Sequence, residues 1–229
     1  MSDQPVTPTP APKTPAPRAD QDQEVANLIS ETRQMIEIAR DDPAIAPLLA
    51  GRGYNAAALA AGLALQQAAQ DAYNARQSAM SAQQQAASAA AQALAAARAT
   101  YTDFRETARS TFSDPNARTA LGVTGKIPED LQKFLTTARS SYAAAQSAPY
   151  QATLATYGFP AATIASAVAA LDALSDADNA QKTIGKDAVQ ATADRDAAVK
   201  ALQQWAKQFK GIASVALRAQ PTQAKKLGL

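Results

Sequence analysis

The chain has 229 residues, a formal net charge of +2, and neither Cys nor His. Such a length holds one domain of ordinary size with a core, and so weak a charge calls for no nucleic-acid partner. The two missing residue types remove Ser-His-Asp and Cys-His nucleophiles, thiolate or imidazole zinc sites, His-bearing di-iron bundles and His- or Cys-ligated haem.

Residues 1–20 read as a disordered tail. Pro5, Pro8, Pro10, Pro12, Pro15 and Pro17 deny the backbone its amide donors, which leaves a coil with polyproline II character. The tail serves either as a spacer or, through Pro5-Val6-Thr7-Pro8 and Pro12-Lys13-Thr14-Pro15, as a docking peptide. The start, Met1-Ser2-Asp3-Gln4-Pro5, lacks the basic and apolar regions of a secretory signal.

A helix follows near residues 22–40, with Val25, Leu28, Ile29, Ile36 and Ala39 on one face. Asp41-Asp42-Pro43 ends it, because the residue before Pro avoids the helical region. A short apolar piece, Ala44 to Ala50, closes on Gly51-Arg52-Gly53. A Pro-free helix then runs from about Asn55 to Phe112, on the order of 85 Å if straight. Its apolar seam has a seven-residue period: Leu59, Gln66, Tyr73, Met80, Ala87, Leu94, Tyr101 and Ala108, joined by Gly62, Ala69, Arg76, Gln83, Ala90, Ala97 and Phe104. The seam is rich at its ends and thin in the middle, where small side chains bury little area.

The plan repeats. Ile127-Pro128-Glu129-Asp130 starts a helix carrying Leu131, Phe134, Leu135 and Tyr142; Pro149 breaks it; Gly158-Phe159-Pro160 makes the turn. A last helix runs from about Ala161 to Ala219, apolar at Ile164, Val168, Leu171, Leu174, Val199, Leu202, Trp205, Phe209, Ile212 and Ala216, and polar between Asp176 and Asp187. Either long helix is continuous or folds back at its polar middle. No stretch reaches the roughly 18–20 apolar residues that span a bilayer.

Aligned, the copies differ by 106 residues at Arg33/Arg139, Pro43/Pro149 and Leu48/Leu154, by 105 at Gly53/Gly158 and Asn74/Asn179, and by 104 at Tyr101/Trp205. Each closes on a Pro six residues before a Leu-Gly pair: Pro115 with Leu121-Gly122, and Pro221 with Leu227-Gly228. The expected fold is all-α: an elongated helical bundle or antiparallel coiled coil built from a tandem repeat of about 105 residues. Residues 21–122 and 123–229 are the copies, packed as one domain, each a helix, a short helix and a long helix.

Three features are candidates for function. The aromatic ends, Tyr101, Phe104 and Phe112 against Trp205 and Phe209, read as core or as an exposed patch. The Pro-to-Leu-Gly closures read as a helix stop with Leu docked back and Gly capping, the second as an accessible terminal peptide. Lys200, Lys207, Lys210, Arg218, Lys225 and Lys226 give the last helix a basic face, solvated or interfacial. Asp194 and Asp196 flank Arg195, and Asp103 and Glu106 lie near Arg105; these read as solvated charge pairs, not as a buried acid/base pair. Gly51-Arg52-Gly53 and Gly122-Val123-Thr124-Gly125-Lys126 lack phosphate-loop spacing and read as helix-end turns.

The stretch Val215-Ala216-Leu217-Arg218-Ala219-Gln220-Pro221 running to Leu227-Gly228-Leu229, with Ala191 to Asp196 and Leu202-x-x-Trp205, resembles the end of a group of uncharacterised bacterial Ala-rich helical-bundle proteins. That resemblance implies a fold and no activity. The Ala- and Gln-rich composition is similar, more loosely, to phasins, helical proteins that coat polyester granules. The expectation is a cytoplasmic bacterial protein without catalytic residues, metal or cofactor. It is expected to act as a structural or adaptor protein binding protein partners, including a second copy. The alternatives are a phasin-like coat on an apolar granule or membrane surface and, more remotely, a helical pore-former.

Overall fold

A computed structural model of the chain describes residues 18–229, with side chains from Gln21 onward. The Pro-rich tail and its Pro-x-x-Pro sequences lie outside the described residues, except that Arg18–Asp20 are already helical. The described residues form helices α1 (Arg18–Asp41), α2 (Ala46–Ala50), α3 (Ala56–Thr111), α4 (Pro115–Ala120), α5 (Leu131–Ala145), α6 (Ala148–Thr156), α7 (Ala161–Ala216) and α8 (Pro221–Lys226), and no strand. The fold is all-α.

Local chemistry sets the helix starts. Asn55, Asp114 and Asp130 each accept a backbone N–H of the first turn, from Ala58, Asn116 and Lys133. Pro115 and Pro149, expected to stop helices, instead open them. α3 already ends at Thr111 and α5 at Ala145, and both prolines stand in the first turn of the next helix. An absent N–H costs nothing at that position. α3 and α7 are unbroken over 56 residues each, so neither folds back. Gly185, inside α7, lies against Gln83.

The chain divides into two compact units. The continuous unit is Arg76–Ala191. The split unit joins the chain up to Ala75 with Thr192–Leu229. These units do not coincide with the sequence copies 21–122 and 123–229. The split unit packs Met35, Ile36, Ile45, Leu49, Tyr54 and Leu59 against Phe209, Ala213, Leu217 and Leu227. The continuous unit packs Tyr101, Phe104 and Leu121 against Phe134, Tyr142, Leu154, Phe159, Ile164 and Leu171. Each core therefore takes the opening elements of one of the segments 21–122 and 123–229 and the closing elements of the other. The reason lies in α3 and α7: an unbroken helix keeps its two ends from sharing one core.

The units match in detail. α4 and α8 are six residues each. Gly53 and Gly158 have φ of 90° and 92°, Gly122 and Gly228 66° and 69°, all in the left-handed region where glycine lacks the Cβ penalty. Tyr54 N–H donates to the Leu49 carbonyl and Phe159 N–H to that of Leu154, both at 3.0 Å. Leu49, fully buried, is thus the counterpart of Leu154, and the half-buried Leu48 is not. Tyr54 meets Phe209 edge-on at 5.0 Å, as Phe159 meets Phe104 at 5.5 Å.

Every seam position named on α3 is buried or half-buried. Tyr73, Met80, Gln83, Ala87 and Leu94 are only half-buried, as the thin middle of the seam implies. In the split unit Gly62 brings α3 against the Trp205 ring; a Cβ there would lie 2.3 Å from Cζ2. Among the described residues no single helix is long and apolar enough to cross a membrane. α6 and α7 pass that test only as a bent pair, and Leu154, Ile164, Leu171 and Leu174, which make the pair apolar, lie in the core.

Candidate functional site

The aromatic candidates are mostly interior. Tyr101, Phe104 and Phe209 are fully buried. Trp205 is half-buried, stacked on Phe209 at 5.2 Å, and Phe112 is half-buried with its ring edge-on to Tyr150 at 5.5 Å. Tyr101 Oη and Ser141 Oγ share a buried hydrogen bond of 2.9 Å. Leu121 and Leu227 are buried, Gly122 and Gly228 turn the chain behind them, and Pro115 and Pro221 are exposed at their helix starts.

The two Leu-Gly closures then diverge. In the continuous unit the chain passes from Gly122 into a connector leading to α5. Arg105 Nη2 donates to the carbonyls of Val123 (3.0 Å) and Gly125 (2.7 Å), and Arg109 Nε donates to Val123 (2.6 Å). Arg98 Nη2 donates to Pro128 and Glu129 carbonyls further along. Arg118 ties α4 to the end of α3 through the carbonyls of Phe112 and Arg109. Val123 is fully buried and Ile127 rests on the same core. Arg105, only 5% exposed, therefore binds backbone oxygens, not the solvated partners Asp103 and Glu106 that its neighbours in sequence suggest. Burial first, and the charge of Arg109 second, disfavour its protonated form.

Arg195 departs from the sequence reading in the same way. It is buried and pairs with Asp196, its neighbour, and with Asp22 of α1 at 3.1 Å. A partner 173 residues away is outside the reach of local spacing.

The closure of the split unit makes the same backbone bonds. Leu229 N–H donates to the Ala224 carbonyl at 3.2 Å as Val123 N–H does to Arg118 at 3.1 Å, and Gly228 to Lys225 as Gly122 to Thr119. Leu229 thus matches Val123 in this bond, and a cleft of about 260 Å³ lies beside the closure. Its floor is Met35, Ile38 and Leu227; its rim is Glu31, Gln34, Lys210, Lys225 and Lys226. The ends of α3 and α7 lie 105 residues apart, which sets Lys210 and Ser214 opposite Arg105 and Arg109, and Ala206, not Trp205, opposite Tyr101.

α8, one wall of the cleft, is held less firmly than α4. Gln220 gives it no side-chain cap, where Asp114 caps α4. Gln223 Oε1 is buried with no hydrogen-bond partner. Lys226 pairs with Asp42 at 2.7 Å, and that bond, with a second from Ala44 N–H, holds the Asp42 carboxyl below the usual range. Of the basic residues singled out on the last helix and beyond, the fold gathers Lys210, Lys225 and Lys226 here; Lys200, Lys207 and Arg218 are exposed elsewhere.

Chemically the cleft offers ammonium donors over an apolar floor, which suits an anionic group joined to an aliphatic one. No group of three or more potential metal ligands occurs among the described residues. Asp103 and Glu106 line a shallow surface with Thr107, Ser110 and the exposed Tyr157 in the continuous unit. Comparison of the chain with protein-family models, with curated proteins and with solved structures finds no match.

Proposed function

We propose that the protein is a non-enzymatic helical adaptor, a tandem duplication whose copies exchange their closing elements and which binds a protein partner. One observation carries the reading. The buried Arg105 and Arg195 engage the chain's own carbonyls and carboxylates, while the lysines of the split unit border a cleft. Matching helix lengths and paired positive-φ glycines support the duplication. A cytoplasmic location in a bacterium belongs to the same reading, as does kinship with the Ala-rich helical proteins that share the closing Pro-to-Leu-Gly sequence. Seams this thin are also candidates for completion by a second copy.

Affinity capture from native lysate, with the full chain and with a chain lacking residues 1–20, tests the proposal. A stoichiometric protein partner supports it, and dependence on residues 1–20 would make the tail the working part. A reproducible turnover abolished by one carboxylate substitution overturns it.

A second reading is a phasin-like coat on an apolar granule or membrane surface. It draws on the absence of any charge between Arg76 and Arg98 on α3 and on the exposed Val189. Flotation with lipid vesicles or polyester particles tests this, and protein left wholly in the soluble fraction ends it.

A further inference from the structure

The two units carry opposite charge at equivalent corners. In the continuous unit Asp103, Glu106 and Ser110 are exposed on one face of α3, at spacings of three and four residues. With Thr107, Thr111 and Tyr157, the residue that ends α6, they line a depression of about 450 Å³ whose walls hold no basic side chain. The arginines interleaved with these acids, Arg98, Arg105 and Arg109, direct their donors to connector carbonyls instead. Neither Asp103 nor Glu106 forms an ion pair among the described residues. An offset of 105 residues, shared by the ends of α3 and α7 and by Gly53 and Gly158, sets Arg52 opposite Tyr157. The same offset sets Gln208, Gly211 and Val215 opposite Asp103, Glu106 and Ser110. The turn itself is conserved between the units: Arg52 N–H donates to the Leu49 carbonyl as Tyr157 N–H does to that of Leu154. In the split unit it therefore carries a guanidinium where the continuous unit has a phenol. Arg52 is exposed between Gly51 and Gly53, and its side chain has no hydrogen bond or ion pair among the described residues. Lys207 and Lys210 are exposed on either side of Gln208, and no Asp or Glu follows Asp196 in the sequence. Tyr157 and Val215 are two of the three large apolar side chains that the described residues leave exposed, and one stands in each corner.

We infer that the chain self-associates by seating the Arg52 turn of one copy in the Asp103, Glu106 and Tyr157 depression of a second copy. The planar guanidinium forks onto a carboxylate and lays its face on the phenol ring, two contacts that suit arginine better than lysine. Val215 of the basic corner adds apolar contact with Tyr157, so both exposed apolar side chains leave water together. Complementary charge at equivalent corners is what makes a second copy the occupant: the acidic depression and the basic turn come in equal number on every chain. Copies then join in pairs through two such contacts, or in a row through one at each junction. The contact is rim-like and exposed, so salt screens it. It uses neither the lysine-bordered cleft nor the tail, and it stands apart from the adaptor reading.

Sedimentation equilibrium of the full chain over a range of concentrations tests this. At low ionic strength the weight-average mass should rise with concentration above the 23.7 kDa of one chain, and it should return to that value in about 0.5 M salt. Arg52→Glu, and separately the double variant Asp103→Lys with Glu106→Lys, should each weaken association about tenfold or more. Mixed in equal amounts, those two variants should associate again, because each supplies the charge that the other has lost. Tyr157→Ala should weaken association about two- to fivefold. Lys133→Glu, at an exposed lysine outside both corners, should leave it unchanged. Circular dichroism of each variant shows that the fold survives. Three results would overturn the inference: the mass of one chain at every concentration up to about 1 mM; association that Arg52→Glu leaves intact; or a mixture of the two reversed variants that stays monomeric. None of these bears on the adaptor reading, which the lysate capture tests by itself.

Discussion

The two units carry the same frame and close it differently. In the continuous unit five rings, Tyr101, Phe104, Phe134, Tyr142 and Phe159, interlock, and arginines fasten the connector over them. In the split unit three rings, Tyr54, Trp205 and Phe209, share the same place, α8 has no cap, and a cleft lies beside it. The difference teaches that two units with matching turns and helix lengths can close in different ways. In the continuous unit arginines clasp the connector's carbonyls, whereas in the split unit lysines border a cleft.

The largest effect expected is from the rings. Phe104→Ala should cost about 3–5 kcal/mol, as full burial of Phe implies, and Phe209→Ala should fall at the lower end because fewer rings surround it. The chain has one Trp, in the split unit. Urea unfolding followed by Trp205 fluorescence and by far-UV circular dichroism therefore separates the two losses. Equal costs would erase the distinction between the cores.

Next come the paired glycines. Both have positive φ, so Ala at either pays the left-handed penalty of about 1–2 kcal/mol. A Cβ on Gly122 would also lie 2.8 Å from Ser141 Oγ, while nothing stands within 4 Å of one on Gly228. Overpacking adds about 1–3 kcal/mol at the first. Thermal unfolding should rank Gly122→Ala well below Gly228→Ala in stability.

The third comparison is between the cations. Arg105→Ala strands buried carbonyls of the connector and should cost about 1.5–3 kcal/mol. Lys210→Ala, on an exposed face, should stay within about 0.5 kcal/mol. Chemical denaturation reads both, and a destabilised Lys210→Ala would mean that this lysine is structural.

The smallest effect is in alkali. Burial, with the charges of Tyr101 and Asp103 after it, raises the Tyr142 phenol well above its ordinary value; burial alone raises Tyr54. The neutral phenol is the form that the fold favours. Its contribution is complete below the unfolded value near 10 and is lost as pH climbs from there toward the raised folded value. Melting temperature should therefore fall above about pH 10, and Tyr142→Phe should flatten that fall more than Tyr54→Phe.

Much of the fold was legible because it is written in periodicity and in breakers. The seven-residue seam from Leu59 to Ala108 matches the buried face, and Gly53, Gly122, Gly158 and Gly228 mark the turns that need left-handed backbone. The prolines were misleading because Pro115 and Pro149 serve equally well in the first turn of a new helix. What sequence could not give was which copy's elements meet, since the pairing of Phe104 with Phe159 follows from the unbroken α3 and not from any local pattern. The cleft was half legible: Lys210, Lys225 and Lys226 stood out as basic, but their meeting with Met35 and Ile38 depends on contacts some 180 residues apart in the chain. Arg105 and Arg109, one helical turn apart and opposite Lys210 and Ser214 in the other copy, were the available signal for the connector clasp.

The central claim is that each compact unit combines the opening of one copy with the closing of the other. Sedimentation equilibrium on residues 21–122 alone, with circular dichroism of the same sample, tests it directly. A single copy cannot complete a unit from its own two ends, so the account predicts a helical species of twice the fragment mass, which loses its helix on dilution. A cooperatively folded helical monomer would contradict it.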